Sequence, residues 1–319
     1  MPLIWNLRRS YWQHIKPRLP RFARRLVAAV AIAVSQWAQS VRRSRLSVRY
    51  LYWRTSPVVT RVLGPRYRRS RDFLEIDLTY LCNLHCHNCN RSCTQAVTSE
   101  GMTMAQIQAF LDESVTRGKK WKRLSILGGE PTLHPEFAAI MELIVAYRDR
   151  HWPNAMVQVT TNGYGDVVAA RLAQVPASVK IINTAKSGDV QPEFETFNVA
   201  PADLPSYAAT DFSNGCSVLK ECGMGLTPYG YYPCAIMGGI DRIFGFGKGR
   251  TSLPDDSDDM LEEVRQFFRL CGHFKFEPNQ PLYGPELSPT WDAAYRRANT
   301  RRGPHQEDSE LVTIRGAQA

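Results

Sequence analysis

A chain of 319 residues with 44% hydrophobic content can form one large domain plus attachments, and it is too apolar for wholesale disorder. Its net charge of +10 is unevenly placed: 17 of the 40 basic residues lie in 1–71 with no acid among them, so 23 face the 30 acids of the remainder. Such a basic arm on a mildly acidic body predicts an anionic partner for the arm. A transmembrane helix is not expected, since the apolar run 26–34 is only nine residues long and about 20 are needed to span a bilayer.

The arm, 1–71, comes first. Arg24-Arg25 and Arg42-Arg43 flank an uncharged helical stretch, and Trp5, Trp12, Trp37 and Trp53 are spread along it. Basic residues, an apolar helix and Trp together suit a helix lying in the interface of an anionic membrane. The plainer alternative is a solvated basic tail. Nucleic acid is disfavoured, because no nucleic-acid-binding fold is recognisable. The 26–34 run lies too far in, and lacks the cleavage site, for a secretory leader. An Arg-rich, acid-free start also has the composition of a mitochondrial transit peptide, and Arg8-Arg9 makes a poor twin-arginine signal.

From residue 71 strands and helices alternate. Phe73–Thr79 reads as a strand. A helix follows Thr103, which forms a capping box with Gln106; Ile107, Phe110, Leu111 and Val115 give it an apolar stripe and Gly118 ends it. Residues 124–127 are a buried strand. Pro135 opens a helix with Phe137, Ile140, Met141, Ile144 and Val145 at helical spacing. Then come a strand at 156–160, a helix at 166–175 stopped by Pro176, and a strand at 179–183. This order predicts a parallel sheet with helices packed outside it. Beyond Ser187 the pattern weakens to one further strand at 195–199, a Gly- and aromatic-rich stretch, and one helix around 260–270.

Three motifs fall on successive strand ends. Cys82, Cys86 and Cys89 follow the first strand at Cys-x3-Cys-x2-Cys spacing. Three thiolates can hold three irons of a four-iron cluster and leave the fourth iron open; zinc, with Cys93 or a His as fourth ligand, is the competing reading. Gly128-Gly129-Glu130-Pro131 ends the second strand, where adjacent glycines admit close backbone approach and Glu130 or backbone carbonyls can accept from an ammonium group. Thr160-Thr161-Asn162-Gly163 ends the third. Ligands of parallel α/β sheets collect on this carboxyl rim. His134 reads as structural. The acidic run 255–259 reads as an N-cap and favourable charge for the helix after it. Cys93 reads as a packed thiol.

Cys216, Cys222, Cys234 and Cys271 form a second, spread group. The stretch 222–234 has the pattern of a hairpin with a Cys at each end. Four thiols can close around an iron–sulfur cluster or a structural zinc.

The pairing of the three-Cys loop with GGEP resembles the radical S-adenosylmethionine (SAM) superfamily over about 72–187. The resemblance implies a complete or partial (β/α) barrel. It implies a [4Fe-4S] cluster on Cys82, Cys86 and Cys89, with SAM chelating the open iron and its methionine part bordered by Gly128, Gly129 and Glu130. Asn162 and Ser187 fall where the family contacts the ribose or carboxylate. Asn88 departs from the family, which has an aromatic residue before the third Cys, beside adenine. The second group resembles the shortened, twitch form of the SPASM extension, which implies a second [4Fe-4S] cluster.

The expected organisation is a basic arm (1–71), a radical SAM core (72–205), a small cysteine-rich domain (206–280) and a C-terminal tail (281–319). The expected function is radical chemistry that takes hydrogen from a small-molecule or lipid-linked biosynthetic substrate. The expected electron donor is a flavodoxin or ferredoxin, and the expected place is the cytoplasm, peripheral to the inner face of the membrane. The rival class is a non-catalytic iron–sulfur electron carrier or zinc-binding adaptor, for which GGEP has no use.

Overall fold

The computed structural model describes residues 45–186, 197–276 and 287–302. Ser187, Trp5, Trp12, Trp37 and the 26–34 run lie outside the described residues. Two compact units are present: residues 45–53 with Phe276 in one, and residues 54–275 with 287–302 in the other.

Two helices, α1 (Arg45–Arg54) and α2 (Pro57–Leu63), precede the sheet. The next elements alternate: β1 (Phe73–Thr79), α3 (Met104–Thr116), β2 (Arg123–Gly128), α4 (Phe137–His151), β3 (Met156–Thr161), α5 (Asp166–Leu172) and β4 (Lys180–Asn183). The short helix α6 (Val218–Glu221) leads into an antiparallel hairpin, β5 (Met224–Thr227) and β6 (Gly230–Tyr232). Then follow α7 (Ala235–Phe244), α8 (Leu261–Phe268) and α9 (Pro289–Arg302). The strands form one sheet in the order β4-β3-β2-β1-β5-β6, all parallel except β6. Among the described residues it is open, with β4 and β6 at its edges.

The two faces of β1 differ because side chains alternate along a strand. Leu74, Ile76 and Leu78 are fully buried and share a core with Leu124, Ile126, Val157, Val159 and the apolar stripes of α3 and α4. Burying one such side chain contributes about 1.5–3 kcal/mol. The opposite face carries Glu75, Asp77 and Thr79, all buried as well. The capping box stands as read: Gln106 N–H donates to Thr103 Oγ1 at 3.2 Å, and Thr103 N–H donates to Gln106 Oε1 at 2.9 Å.

β5 pairs with β1 in parallel and carries the hairpin of the cysteine-rich stretch into the same sheet. Three expectations are corrected. The residues of 195–199 that are described, Phe197–Val199, turn instead of forming a strand. The region called a tail contains α9, which docks through Trp291: the ring is fully buried, lies 4.9 Å from Phe197 and 5.1 Å from Phe244, and donates to Leu270 O at 2.8 Å. The acidic run does not cap α8, whose N-cap is Met260. Instead Asp259 pairs with Arg68 and Arg71, Asp256 with Lys119, and the carbonyls of Asp255 and Asp258 accept from the buried Arg69. The end of the arm is thus anchored on the body by charge.

Candidate functional site

The three rim motifs are joined by backbone. Gly129 N–H donates to Thr79 O at 2.7 Å and Glu130 N–H to Leu81 O at 2.8 Å, so GGEP lies against the start of the cysteine loop. Both glycines are required by this approach. A Cβ on Gly128 (φ +133°) would stand 2.3 Å from Thr79 O, and one on Gly129 would stand 2.3 Å from Leu81 O. On the side where a Cβ would stand, the neighbouring loop occupies the space beside both glycines. Glu130 is also turned inward. Its fully buried carboxylate accepts from Thr132 Oγ1 at 2.7 Å, Thr161 Oγ1 at 2.8 Å and Asn162 N–H at 2.8 Å, stapling GGEP to the end of β3. Of the two ammonium acceptors expected here, the backbone carbonyls therefore remain the better placed. Asn162 completes the junction: its Nδ2 donates to Asn83 Oδ1 at 2.8 Å and lies 3.9 Å from the Cys82 sulfur.

Within the loop, Cys82 interacts electrostatically with Cys86 and Cys89. Burial, reinforced by Cys89, pushes the Cys82 thiol up to about 12. Cys89 goes the other way, down to about 6: the Cys93 thiol hydrogen-bonds its sulfur, and against burial the backbone N–H groups of Cys93 and Arg91 and the Arg91 charge assist. Cys93, read as a packed thiol, is buried and has this partner. Behind the loop, Arg242 of α7 donates to Arg91 O and Ser92 O, both at 3.0 Å, and lies over the Tyr80 ring at 4.6 Å. Tyr295 of α9 meets Ser92 Oγ at 2.8 Å. Ser92 has φ +55°, a strained conformation for a residue with a side chain, and these contacts hold it. His134 is structural as expected, its ring nitrogens engaged by Met102 O at 2.8 Å and Glu136 N–H at 3.1 Å.

Among the described residues no group of three or more Cys, His, Asp or Glu side chains is arranged to hold a metal ion. The donor set and its surroundings nevertheless fit a cluster with a polar ligand. The three thiols come from one loop, and backbone N–H groups of Leu84, Arg91 and Cys93 favour the thiolates of Cys82 and Cys89. Among the described residues, five buried polar atoms without a hydrogen-bond partner fall close together in residues 80–95: Tyr80 Oη, His87 Nδ1, Asn88 Oδ1, Thr94 Oγ1 and Gln95 Oε1. Native interiors leave few such atoms, so this concentration marks a place where a polar ligand would supply partners. Asn88, which departs from the family's aromatic residue, is one of them.

Sequence reading missed what lies under the loop. Arg91, buried, reaches Asp77 and Glu75 on β1, its Nη2 being 3.3 Å from each. Burial pulls the Arg91 pKa down, but Asp77 and Glu75 outweigh it and keep the guanidinium charged. Burial raises Glu75, with Arg91 opposing. The signal was present: two acids alternate with Leu74, Ile76 and Leu78 on a strand flanked by strands on both sides, and buried acids need a cation.

The second group meets the same network. The Cys222 thiol hydrogen-bonds Glu75, and Cys222 and Cys216 each interact electrostatically with Cys234. Burial raises the thiols of Cys222 and Cys234. Cys271, buried, follows α8, and Phe268 of that helix packs near Gly215 beside Cys216. None of the eight cysteines is in a disulfide.

Residues 76–184, from within β1 to just past β4, match the family model of the Radical SAM superfamily. A probable GTP 3′,8-cyclase of Metallosphaera sedula is 28% identical over 131 residues, 39% of this chain and 39% of that protein. The chain thus spans about two fifths of that relative's length. Two solved structures are similar. A crystal structure of BtrN in complex with AdoMet and 2-DOIA is 14% identical over 70% of this chain and 98% of that one, with a TM-score of 0.40. An open conformation of BtrN is 16% identical over 64% and 88%, with a TM-score of 0.37.

Proposed function

We propose that this protein is a radical SAM enzyme in which Cys82, Cys86 and Cys89 hold a [4Fe-4S] cluster and the backbone of Gly128, Gly129 and Glu130 borders the methionine part of SAM. The observation that carries this reading is the junction of the cysteine loop, GGEP and Asn162 on one rim, inside the span of the family match. Bound there, the cluster and SAM would supply reductive cleavage to methionine and a 5′-deoxyadenosyl radical, the species that takes hydrogen from a biosynthetic substrate.

The chain's own residues prepare that site. Backbone N–H groups and the Asn162 amide stabilise the sulfurs, Arg242 and Tyr295 fix the loop from behind, and Glu130 locks the rim. Asn162 and Ser187 are assigned to the ribose or carboxylate of SAM. Cys216, Cys222, Cys234 and Cys271 are assigned to a second [4Fe-4S] cluster, and a flavodoxin or ferredoxin to electron supply.

Anaerobically reconstituted protein given dithionite and SAM should release 5′-deoxyadenosine. Replacing Cys82, Cys86 or Cys89 by Ala should abolish the release, because two thiolates cannot hold the cluster with one iron open. Unchanged release in all three variants would refute the assignment, and a wild-type protein that binds iron yet leaves SAM intact would favour an electron carrier.

A further inference from the structure

The apolar surface of the described residues is concentrated in one short segment. Leu46, Tyr50 and Trp53 on α1, and Val58, Val62 and Leu63 on α2, are 55–77% exposed, whereas the other exposed large apolar side chains reach only 37–43%. In α1 the three fall at positions i, i+4 and i+7, one stripe of the helix. In α2, Val58 and Val62 stand at i and i+4. Exposed residues beside these stripes include Arg49 and Arg61.

Charge identifies what covers these faces. Arg68, Arg69 and Arg71 are taken up by the acidic run on the body. The other 14 basic residues of the arm, all within 1–67, have no acid anywhere in that stretch. Apolar and aromatic stripes flanked by arginine, with no acid for 67 residues, match the headgroup region of an anionic bilayer, where the stripe sits at the acyl boundary and the arginines meet lipid phosphates. Among the described residues no helix is long and apolar enough to cross a membrane, so this is attachment to a surface.

We propose that α1 and α2 are membrane-docking elements, each laying its apolar stripe on an anionic lipid surface. This proposal is independent of the radical chemistry and is tested without the cluster.

Full-length protein should sediment with phosphatidylglycerol vesicles, should bind phosphatidylcholine vesicles at least about tenfold more weakly, and should be released by salt. Two full-length variants separate the contributions. The variant L46S/Y50S/W53S/V58S/V62S should lose about tenfold or more in partitioning, since it removes the stripes. The variant R49Q/R61Q should lose about twenty-five-fold while keeping every apolar residue, because each surface arginine contributes about fivefold. Helical content and thermal melting are followed in both. Wild-type partitioning in both variants would overturn the proposal, as would equal binding to the two lipids. Displacement of the protein from vesicles by duplex DNA, with serine variants binding as wild type, would overturn it in favour of nucleic acid.

Discussion

Arg91 links the two cysteine groups through single side chains: Asp77 and Glu75 on one side, and through Glu75 the thiol of Cys222. Replacing it by methionine, of similar length, leaves two buried carboxyls without their cation, and breaking such a pair from one side costs about 3–5 kcal/mol. The cost should depend on pH in a definite direction. Without Arg91, burial leaves the folded state holding a proton on Glu75 more tightly than the unfolded state, where acids titrate near about 4. The folded variant then binds more protons than the unfolded chain, and its stability falls as pH rises above that value. Urea denaturation of the apoprotein at about pH 5 and about pH 7 should show Arg91→Met closer to wild type at the lower pH. A deficit independent of pH would mean that Arg91 acts through packing alone.

Elements with a local cause were readable in the sequence. The α3 cap is one, and Thr103→Ala should cost about 1 kcal/mol in urea denaturation, since it frees the Gln106 N–H. The four parallel strands and their helices were readable for the same reason: each carries its own period and its own punctuation. What escaped depends on contacts distant in sequence. Helix α7 has Gly238-Gly239 at its centre, which argues against a helix locally; one Gly238 hydrogen faces the Thr227 side chain, where a Cβ would come within 2.5 Å, so the glycine serves helix–hairpin packing. Docking of α9 likewise depends on Phe197 and Phe244, far from Trp291 in sequence. At the site, the cysteines, GGEP and Asn162 were legible as rim residues, whereas Arg91, Arg242 and Tyr295 carry no motif. The glycines were legible as close-approach positions, although what approaches them is the cysteine loop. Gly129→Ala should therefore push GGEP away from Leu81. On anaerobic reconstitution this variant should hold less iron than wild type while keeping its far-ultraviolet spectrum, and full iron uptake would show that the loop tolerates the shift.

At the scale of the whole molecule, one sheet serves both cysteine groups. The first sits at the carboxyl end of β1. The second lies on the elements around and after the hairpin that extends the sheet from β1: Cys216 and Cys222 flank α6, Cys234 leads from the hairpin into α7, and Cys271 follows α8. Glu75 on β1 hydrogen-bonds Cys222, so the face that Arg91 occupies is also the floor of the second group. A metal held by these four would fasten α6, the hairpin and α8 to β1. In a stretch with few regular elements, that ligation would supply much of the local folding energy. The variant lacking Cys82, Cys86 and Cys89 together should thus still take up iron and sulfide, at about four irons per chain for a single cubane. Its Mössbauer spectrum should not change when SAM is added, since four protein thiolates leave no iron open. Retention of one zinc instead would make the region a structural site. Loss of all metal would mean that α6, the hairpin and α8 are held by packing alone, with Phe268 and its aromatic neighbours doing what the metal was assigned.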